Sequence, residues 1–221
     1  MTEWKSDAQL FTMMKMELYT GVLCDMLDTL GYSHQFLPRE IQALRPDDVM
    51  VGRAFPTIIC DVYGQQDQPL GLLPEAVDNI LEGEVYIVTG GDRRCAYFGE
   101  IMTATIKARH AAGAVIDGYM RDTKSVLEQD FPVFSMGRDA RGSLYRNKVL
   151  AYRVPVEIGG IHIDPGDLVF GDIDGVVVIP RAIEDHALAI TFAKVRGERD
   201  TRDAIEAGMS AVAAVERFGT F

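Results

Sequence analysis

Three charged residues of this 221-residue chain have the types and the spacing to do chemistry. Arg121 and Asp122 end the stretch AVIDGYMRD, and Glu100 stands upstream with residues 101 to 120 between. Ala114, Val115 and Ile116 read as the middle of a buried strand. Gly118 lets the chain turn, and a charge pair follows that no core would hold. A guanidinium beside free backbone amides is a receptor for a carboxylate. Asp122 and Glu100 are hard oxygen donors suited to Mg2+ or Mn2+, which take few protein carboxylates and keep several waters. Each feature alone has a plainer reading. Arg-Asp after a strand is commonly a solvated turn, and a glutamate in the first turn of a helix suits the helix dipole. Their convergence on one unit raises the functional reading.

That unit is a strand, a helix and a second strand. EVYIVTGG is a strand ending in two glycines, and AVIDG is the next strand. Between them FGEIMTATIKARHAAG places Phe98, Ile101, Met102, Thr105, Ile106 and Arg109 at the three-four spacing of a helix, with Gly113 as its terminator. The connection predicts a parallel, right-handed pair from about residue 84 to 118, and ligands of such units bind outside the carboxyl ends of the strands. Free N–H groups at the helix start favour an anion, and Gly99 lets a ligand approach the main chain closely. TGGDRRCA is not a dinucleotide fingerprint, because it lacks the third glycine.

The flanking segments predict a mixed α/β domain. Ser6 and Asp7 are N-cap candidates for a helix through about Lys15, and Thr20 for a second helix stopped by Gly31. Residues 34 to 48 read as a loop, and VMVGRAFPTIICDVY as one bent strand or two, with Pro56 marking an edge or break. LLPEAVDNIL predicts a short helix closed by Gly83. PVFSMG, VLAYRVPVEIGG, IHIDPGDLVFGD and GVVVIP are short strands joined by turns, one of which accounts for Asp172 and Asp174. Charged helices close the chain: a long one from about Ile183 to Gly208, then a short one to about Phe218. No linker or repeat divides the sequence, which reads as a single domain over 1–221.

Composition narrows the classes. A net charge of −11 argues against nucleic acid and against anionic membrane surfaces, both of which need clustered Lys and Arg. Cys24, Cys60 and Cys95 are odd in number and lack metal-ligand spacing, so they read as packing residues in a reducing compartment. His34, His110, His162 and His186 have no partner at ligand spacing. The N-terminus lacks the build of a signal peptide and no apolar run approaches the roughly 20 residues of a membrane span. The expectation is a soluble cytoplasmic protein.

GGDRRCAYFGEIMTATIKARHAAGAVIDGYMRD, PVEIGGIHIDPGDLVFGDIDGVVVIP and KVRGERDTRDAIEAG together resemble the RraA-like family, which includes the class II HMG/CHA aldolases. The resemblance covers nearly the whole chain and is most specific over residues 84 to 180. It implies a β/β/α sandwich like the swivelling phosphohistidine domain, with C-terminal helices packing on a neighbouring subunit of a homotrimer or homohexamer and active sites near the subunit interfaces. The family signature, a carboxylate, twenty intervening residues and Arg-Asp, falls on Glu100 and Arg121-Asp122.

The resemblance assigns Asp122 to Mg2+ or Mn2+, Arg121 to the keto-acid, and Gly99, Glu100, Ile101 and Met102 to its carboxylate. Glu198 in VRGERD matches a glutamate that approaches from the neighbouring subunit. The implied activity is retro-aldol cleavage of a 4-hydroxy-2-oxo acid to release pyruvate, accompanied by oxaloacetate decarboxylation, with Glu100 or Glu198 serving the proton transfer. Two positions depart from the pattern: Glu100 stands where some aldolases carry aspartate, and Ser125 where some carry an acidic residue. The other readings are a non-catalytic regulator of an RNA-degrading enzyme and a methyltransferase. The second lacks a glycine-rich S-adenosylmethionine loop.

Overall fold

The structure, a computed structural model, describes residues 4–219. The first and last few positions of the domain expected over 1–221, 1–3 and 220–221, therefore lie outside the described residues. Two helices, α1 (Asp7–Glu17) and α2 (Thr20–Thr29), lead into eleven strands: β1 (Gln42–Ala43), β2 (Met50–Asp61), β3 (Glu84–Thr89), β4 (Ala96–Phe98), β5 (Gly113–Met120), β6 (Val133–Arg138), β7 (Asn147–Tyr152), β8 (Val156–Ile158), β9 (Ile161–Ile163), β10 (Leu168–Asp172) and β11 (Gly175–Ile179). Helices α3 (Leu73–Asp78), α4 (Glu100–Ala108) and α5 (Thr123–Glu128) are interleaved with them, and α6 (Glu184–Glu206) and α7 (Ala211–Phe218) close the chain. Nine strands form one mixed sheet in the order β1-β6-β5-β3-β2-β10-β11, with β4 added to β5 and β7 to β2. β8 and β9 make a separate hairpin.

Strand alternation sorts the apolar residues into layers. Along β2 and β3, Met50, Ala54, Val85 and Ile87 face inward with Val115, Phe134, Val169, Val176 and Val178 to fill the curled sheet. The opposite face splits in two. Phe55, Tyr86, Val88, Ala114 and Ile116 pack under α3, α4 and α5, and Val51, Leu168, Phe170, Val177 and Ile179 pack under α1, α2 and α6. This is the α/β, layered architecture expected from the sequence. The expectation that the C-terminal helices pack on a neighbour needs adjusting within one protomer. Ala187, Leu188, Phe192 and Val195 in the first half of α6 are buried on the chain's own sheet.

Several local readings change for physical reasons. The segment 34–48 is not a plain loop, since Phe36 bridges to Val177 on β11 and Gln42–Ala43 pairs with β6. One short stretch thus meets both sheet edges and nearly closes the sheet into a barrel, removing edges open to aggregation. β2 is a single 12-residue strand in spite of Pro56. The proline sits where β2 changes antiparallel partner, from β10 at residues 50–53 to β7 at residues 57–61, a gap that tolerates the missing N–H. α4 ends at Ala108, and Gly113 opens β5 instead of terminating the helix. A Cβ there would lie 2.4 Å from the Met50 sulfur, so close packing explains the glycine. Gly83 likewise does not close α3, which ends at Asp78.

Thr20 is the first residue of α2 and not its cap, because a distant carboxylate takes that role. Buried Asp172 accepts from Thr20 N at 2.8 Å and Thr20 Oγ1 at 2.7 Å, while Asp174 N donates to the same Asp172 Oδ1 at 3.0 Å. The turn read from sequence is therefore also a cross-chain cap that ties α2 to β10. Asp172→Ala leaves two buried donors unsatisfied and is expected to cost about 2 kcal/mol. Urea denaturation measures this, and a loss below about 0.5 kcal/mol, the range of ordinary surface substitutions, would show that the cap is dispensable.

Candidate active site

The carboxyl end of β5 builds the site. β5 runs parallel to both β3 and β4, with Ala96 opposite Tyr119 and Phe98 opposite Met120. Arg121 N donates to Phe98 O at 2.9 Å, so the pairing extends one residue past the strand and sets Arg121-Asp122 beside Gly99-Glu100. The short strand β4 was not visible in the sequence, where Ala96–Phe98 merged with the helix pattern. The pair expected to meet the start of α4 does so: Asp122 Oδ2 accepts from Glu100 N at 3.3 Å and lies 3.4 Å from Arg121 Nε.

Asp122 itself has φ 57° and ψ 33°, a left-handed conformation that aspartate tolerates better than most residues, and it caps α5. The turn points the chain sharply away after β5. Both of its side-chain contacts fall on Oδ2, which leaves Oδ1 without a protein partner among the described residues. Arg121 and Asp122 are 47 % and 40 % exposed, open to a ligand without being free of the protein.

Two glycines make room for the pair. Gly99 has an extended φ of −167°, so no backbone strain demands glycine, yet a Cβ would lie 2.6 Å from Asp122 Oδ2. Gly142, whose φ is likewise outside the left-handed region, would bring a Cβ to 2.4 Å from Arg121 Nη1. The loop carrying Gly142 is strapped down on both sides: Asp139 N donates to Met120 O at 3.0 Å and Ala96 N to Arg141 O at 2.8 Å. Arg121 is thus held between β4 and the loop that follows β6, a contact that no local sequence pattern announces. The RGS glycine was a signal, though nothing local named its partner.

At the start of α4 the first helical bond runs from Thr103 N to Gly99 O at 3.0 Å. The amides of Ile101 and Met102 consequently have no helix partner, and Glu100 N is engaged by Asp122. Gly99, Ile101, Met102, Arg121 and Asp122 together line a cavity of about 210 Å3. Glu100 is exposed at its edge on the helix. Ile101 is 79 % exposed at the mouth.

Glu198 lies elsewhere in the protomer. It sits on α6 in a groove with Tyr19 and Arg202, accepts from Tyr19 Oη at 2.6 Å and meets Lys194 Nζ at 3.2 Å. Burial first, and the bond to Glu198 next, push the Tyr19 phenol up to about 12, so it stays a donor at neutral pH. Cys95 is buried, with Asn147 Nδ2 donating to its sulfur at 2.9 Å, and burial pushes its thiol up, which suits packing and not nucleophilic attack. No cluster of three or more His, Cys, Asp or Glu able to hold a metal occurs among the described residues. A cation at this site would draw on Asp122, with Glu100 nearby, and on water. That donor set suits Mg2+, which commonly uses one or two carboxylates.

Fold and sequence together define the class of protein: the chain belongs to the RraA-like family, described as Aldolase/RraA, which it matches over residues 20–178. A relative from Halalkalibacterium halodurans, provisionally named 4-hydroxy-4-methyl-2-oxoglutarate aldolase, is 32 % identical over 88 % of both chains. An uncharacterized protein from Pseudomonas syringae pv. tomato superposes with a TM-score of 0.84 at 30 % identity, covering 97 % of each chain. Streptomyces coelicolor RraAS2, described as an unusual member of the RNase ES inhibitor RraA family, superposes with a TM-score of 0.78 at 26 % identity, covering 90 % of this chain and 98 % of its own. No helix among the described residues is long and apolar enough to cross a membrane.

Gly142→Ala tests how firmly Arg121 is seated. The added Cβ meets the far end of a flexible side chain, so the guanidinium should turn aside while the melting temperature changes by no more than about 2 °C. A crystal structure of the variant with Arg121 unmoved, or a drop of roughly 10 °C, would show that the loop and not the side chain yields.

Proposed function

We propose that the protein is a divalent-metal-dependent lyase that cleaves a 4-hydroxy-2-oxo acid to pyruvate and an aldehyde or ketone. The observation that carries this reading is the meeting of Arg121-Asp122 with the amino end of α4 in one cavity. The substrate carboxylate is received by the Ile101 and Met102 amides and the positive end of the helix dipole. Arg121 lies beside the keto oxygen, where negative charge grows as the C3–C4 bond breaks and its electron pair moves into the enolate. The C4 hydroxyl loses its proton as C4 becomes a carbonyl, and C3 then gains a proton to give pyruvate. Glu100 is the carboxylate in this protomer that could guide that proton. Glu198 enters the reading only from a neighbouring subunit of a homotrimer or homohexamer, because within one protomer it belongs to the Tyr19 groove.

Asp122 would hold Mg2+ or Mn2+ through Oδ1, and the cation would supply Lewis-acid stabilisation of the enolate. Loss of CO2 from oxaloacetate reaches the same enolate, so decarboxylation should accompany the cleavage. The likeness to RraAS2 supports a second reading, a non-catalytic regulator that binds an RNA-degrading enzyme. A binder has no need of an arginine and a carboxylate converging on a small cavity, which favours catalysis. We place the protein in the cytoplasm, as the cysteine usage suggests.

Asp122→Ala should abolish Mg2+-dependent pyruvate release from oxaloacetate and from 4-hydroxy-4-methyl-2-oxoglutarate, and EDTA should do the same to the unaltered protein. A coupled lactate dehydrogenase assay measures both. Full activity in the variant sinks the assignment of Asp122. Absence of turnover on any oxo-acid, together with tight capture of an RNA-degrading endonuclease, would favour the regulator.

A further inference from the structure

Arg121 supplies charge stabilisation in the lyase reading, and a guanidinium on a long, half-exposed arm does so only where something fixes its direction. Asp122 Oδ2, 3.4 Å from Nε, bounds it along the arm. The Gly142 backbone bounds the guanidinium itself, so closely that a Cβ there would lie 2.4 Å from Nη1 and 3.1 Å from Cζ. Whatever fixes Gly142 therefore fixes Arg121.

Gly142 is fixed through the turn that precedes it. Asp139 Oδ1 accepts from Arg141 N at 2.9 Å, which closes an Asx turn over residues 139–141. The same carboxylate takes the Arg141 guanidinium through Nε at 3.0 Å and Nη2 at 2.6 Å, the two-pronged geometry that an arginine offers a carboxylate. The closed turn is tied to both strands that set the site. Asp139 N donates at 3.0 Å to the carbonyl of Met120, one residue before Arg121, and Arg141 O accepts from Ala96 N of β4 at 2.8 Å. Beyond the turn, Arg146 Nη1 holds the Gly142 carbonyl at 3.0 Å. Arg141 is 61 % exposed, and a pair so open to solvent adds little to stability. Its three bonds instead select one conformation of the turn.

Resting on the lyase reading above, we infer that Asp139 is a positioning residue for the reaction: its lock on Arg141 seats Gly142 against Arg121 and so aims the guanidinium at the keto oxygen. Neither Asp139 nor Arg141 is among the described residues that line the cavity, so the effect runs through Arg121. Arg121 meets charge that grows in the transition state, whereas the substrate carboxylate is received at the start of α4. Loss of the lock should therefore fall on kcat and leave KM little changed. A displacement of about 1 Å is enough to cost roughly a hundredfold in rate.

Pyruvate release and calorimetric binding by the full-length protein with Mg2+ test it. Asp139→Ala should lower kcat for oxaloacetate about tenfold or more with KM within about threefold, and Arg141→Ala should do the same. Asp139→Asn keeps the acceptor of the Asx turn and should recover part of the loss. Oxalate, a planar dianion like the enolate, should bind Asp139→Ala about tenfold more weakly while pyruvate loses little. In an Arg121→Ala background the Asp139 substitution should change oxalate binding no further, the mark of two residues acting as one. The melting temperature should move by no more than about 2 °C. A kcat within about twofold of the unaltered protein, equal losses for oxalate and pyruvate, or a full further loss in the Arg121→Ala background overturns the inference. If the unaltered protein turns over no oxo-acid, the lyase reading fails instead. A crystal structure of Asp139→Ala then decides the positioning: Arg121 displaced upholds it, and Arg121 unmoved overturns it.

Discussion

Everything at the site depends on a backbone register, the parallel pairing of β4 with the end of β5. Phe98 lies opposite Met120, and Arg121 N carries the pairing on to Phe98 O at 2.9 Å. Because side chains alternate along a strand, a slip of one residue would turn the side chains at the end of β5 to the other face and part Asp122 from the Glu100 amide. The register is held by the large buried residues on either side of it, among them Tyr97, Phe98 and Met120. Glycine enters for the same reason. Gly118, at φ 159°, would place a Cβ 2.5 Å from the Tyr97 ring, so β5, which runs on to Met120 instead of turning at Gly118 as the sequence implies, can pass Tyr97 only without a side chain there.

Around this register the fold divides its duties. The curled sheet, sealed by residues 36 to 43, provides a rigid base with apolar residues on both faces. Paired charges are used as ties between elements. Arg53 on β2 bonds Asp7 of α1 at 2.7 Å and Glu184 of α6, and Arg153 bonds Glu84 at 2.6 Å while stacking on Phe55. Asp117 on β5 is buried, with Thr89 Oγ1 and Arg93 Nη2 each at 2.6 Å. That network anchors the glycine-rich loop that leads into β4. Arg121 and Asp122 differ from these ion pairs in being half exposed and in leaving a carboxylate oxygen without a protein partner. A structural tie is satisfied within the protein, and this pair is not, which is what marks it as a candidate site.

Much of this was legible in the sequence because it is local. The strand, helix and strand of residues 84 to 120 announced themselves through two hydrophobic periods and their glycines, and the end at which ligands bind follows from the parallel connection. Glu100 and Arg121-Asp122 stand out at the ends of that unit, and the resemblance to the family gives their spacing its meaning. β4 was missed because three residues are too few to show a period, and it merged with the helix that follows. Segment 34–48 looks like a loop in the sequence because its pairing partners, Val177 and Ser135, lie about a hundred residues or more away.

The sequence by itself determined the longer helices and strands and the residue types offered for chemistry, since hydrophobic period and turn residues act over a few neighbours. Tertiary structure alone decided which distant groups meet. It placed Gly142 against the Arg121 guanidinium, made Asp172 the cap of α2, kept Glu198 with Tyr19, and lined the cavity with Leu70 and Leu73. Such contacts arise from how sheet curvature and loop straps fold surfaces together. No spacing along the chain encodes that, because the partners need only be complementary in shape and charge once they arrive.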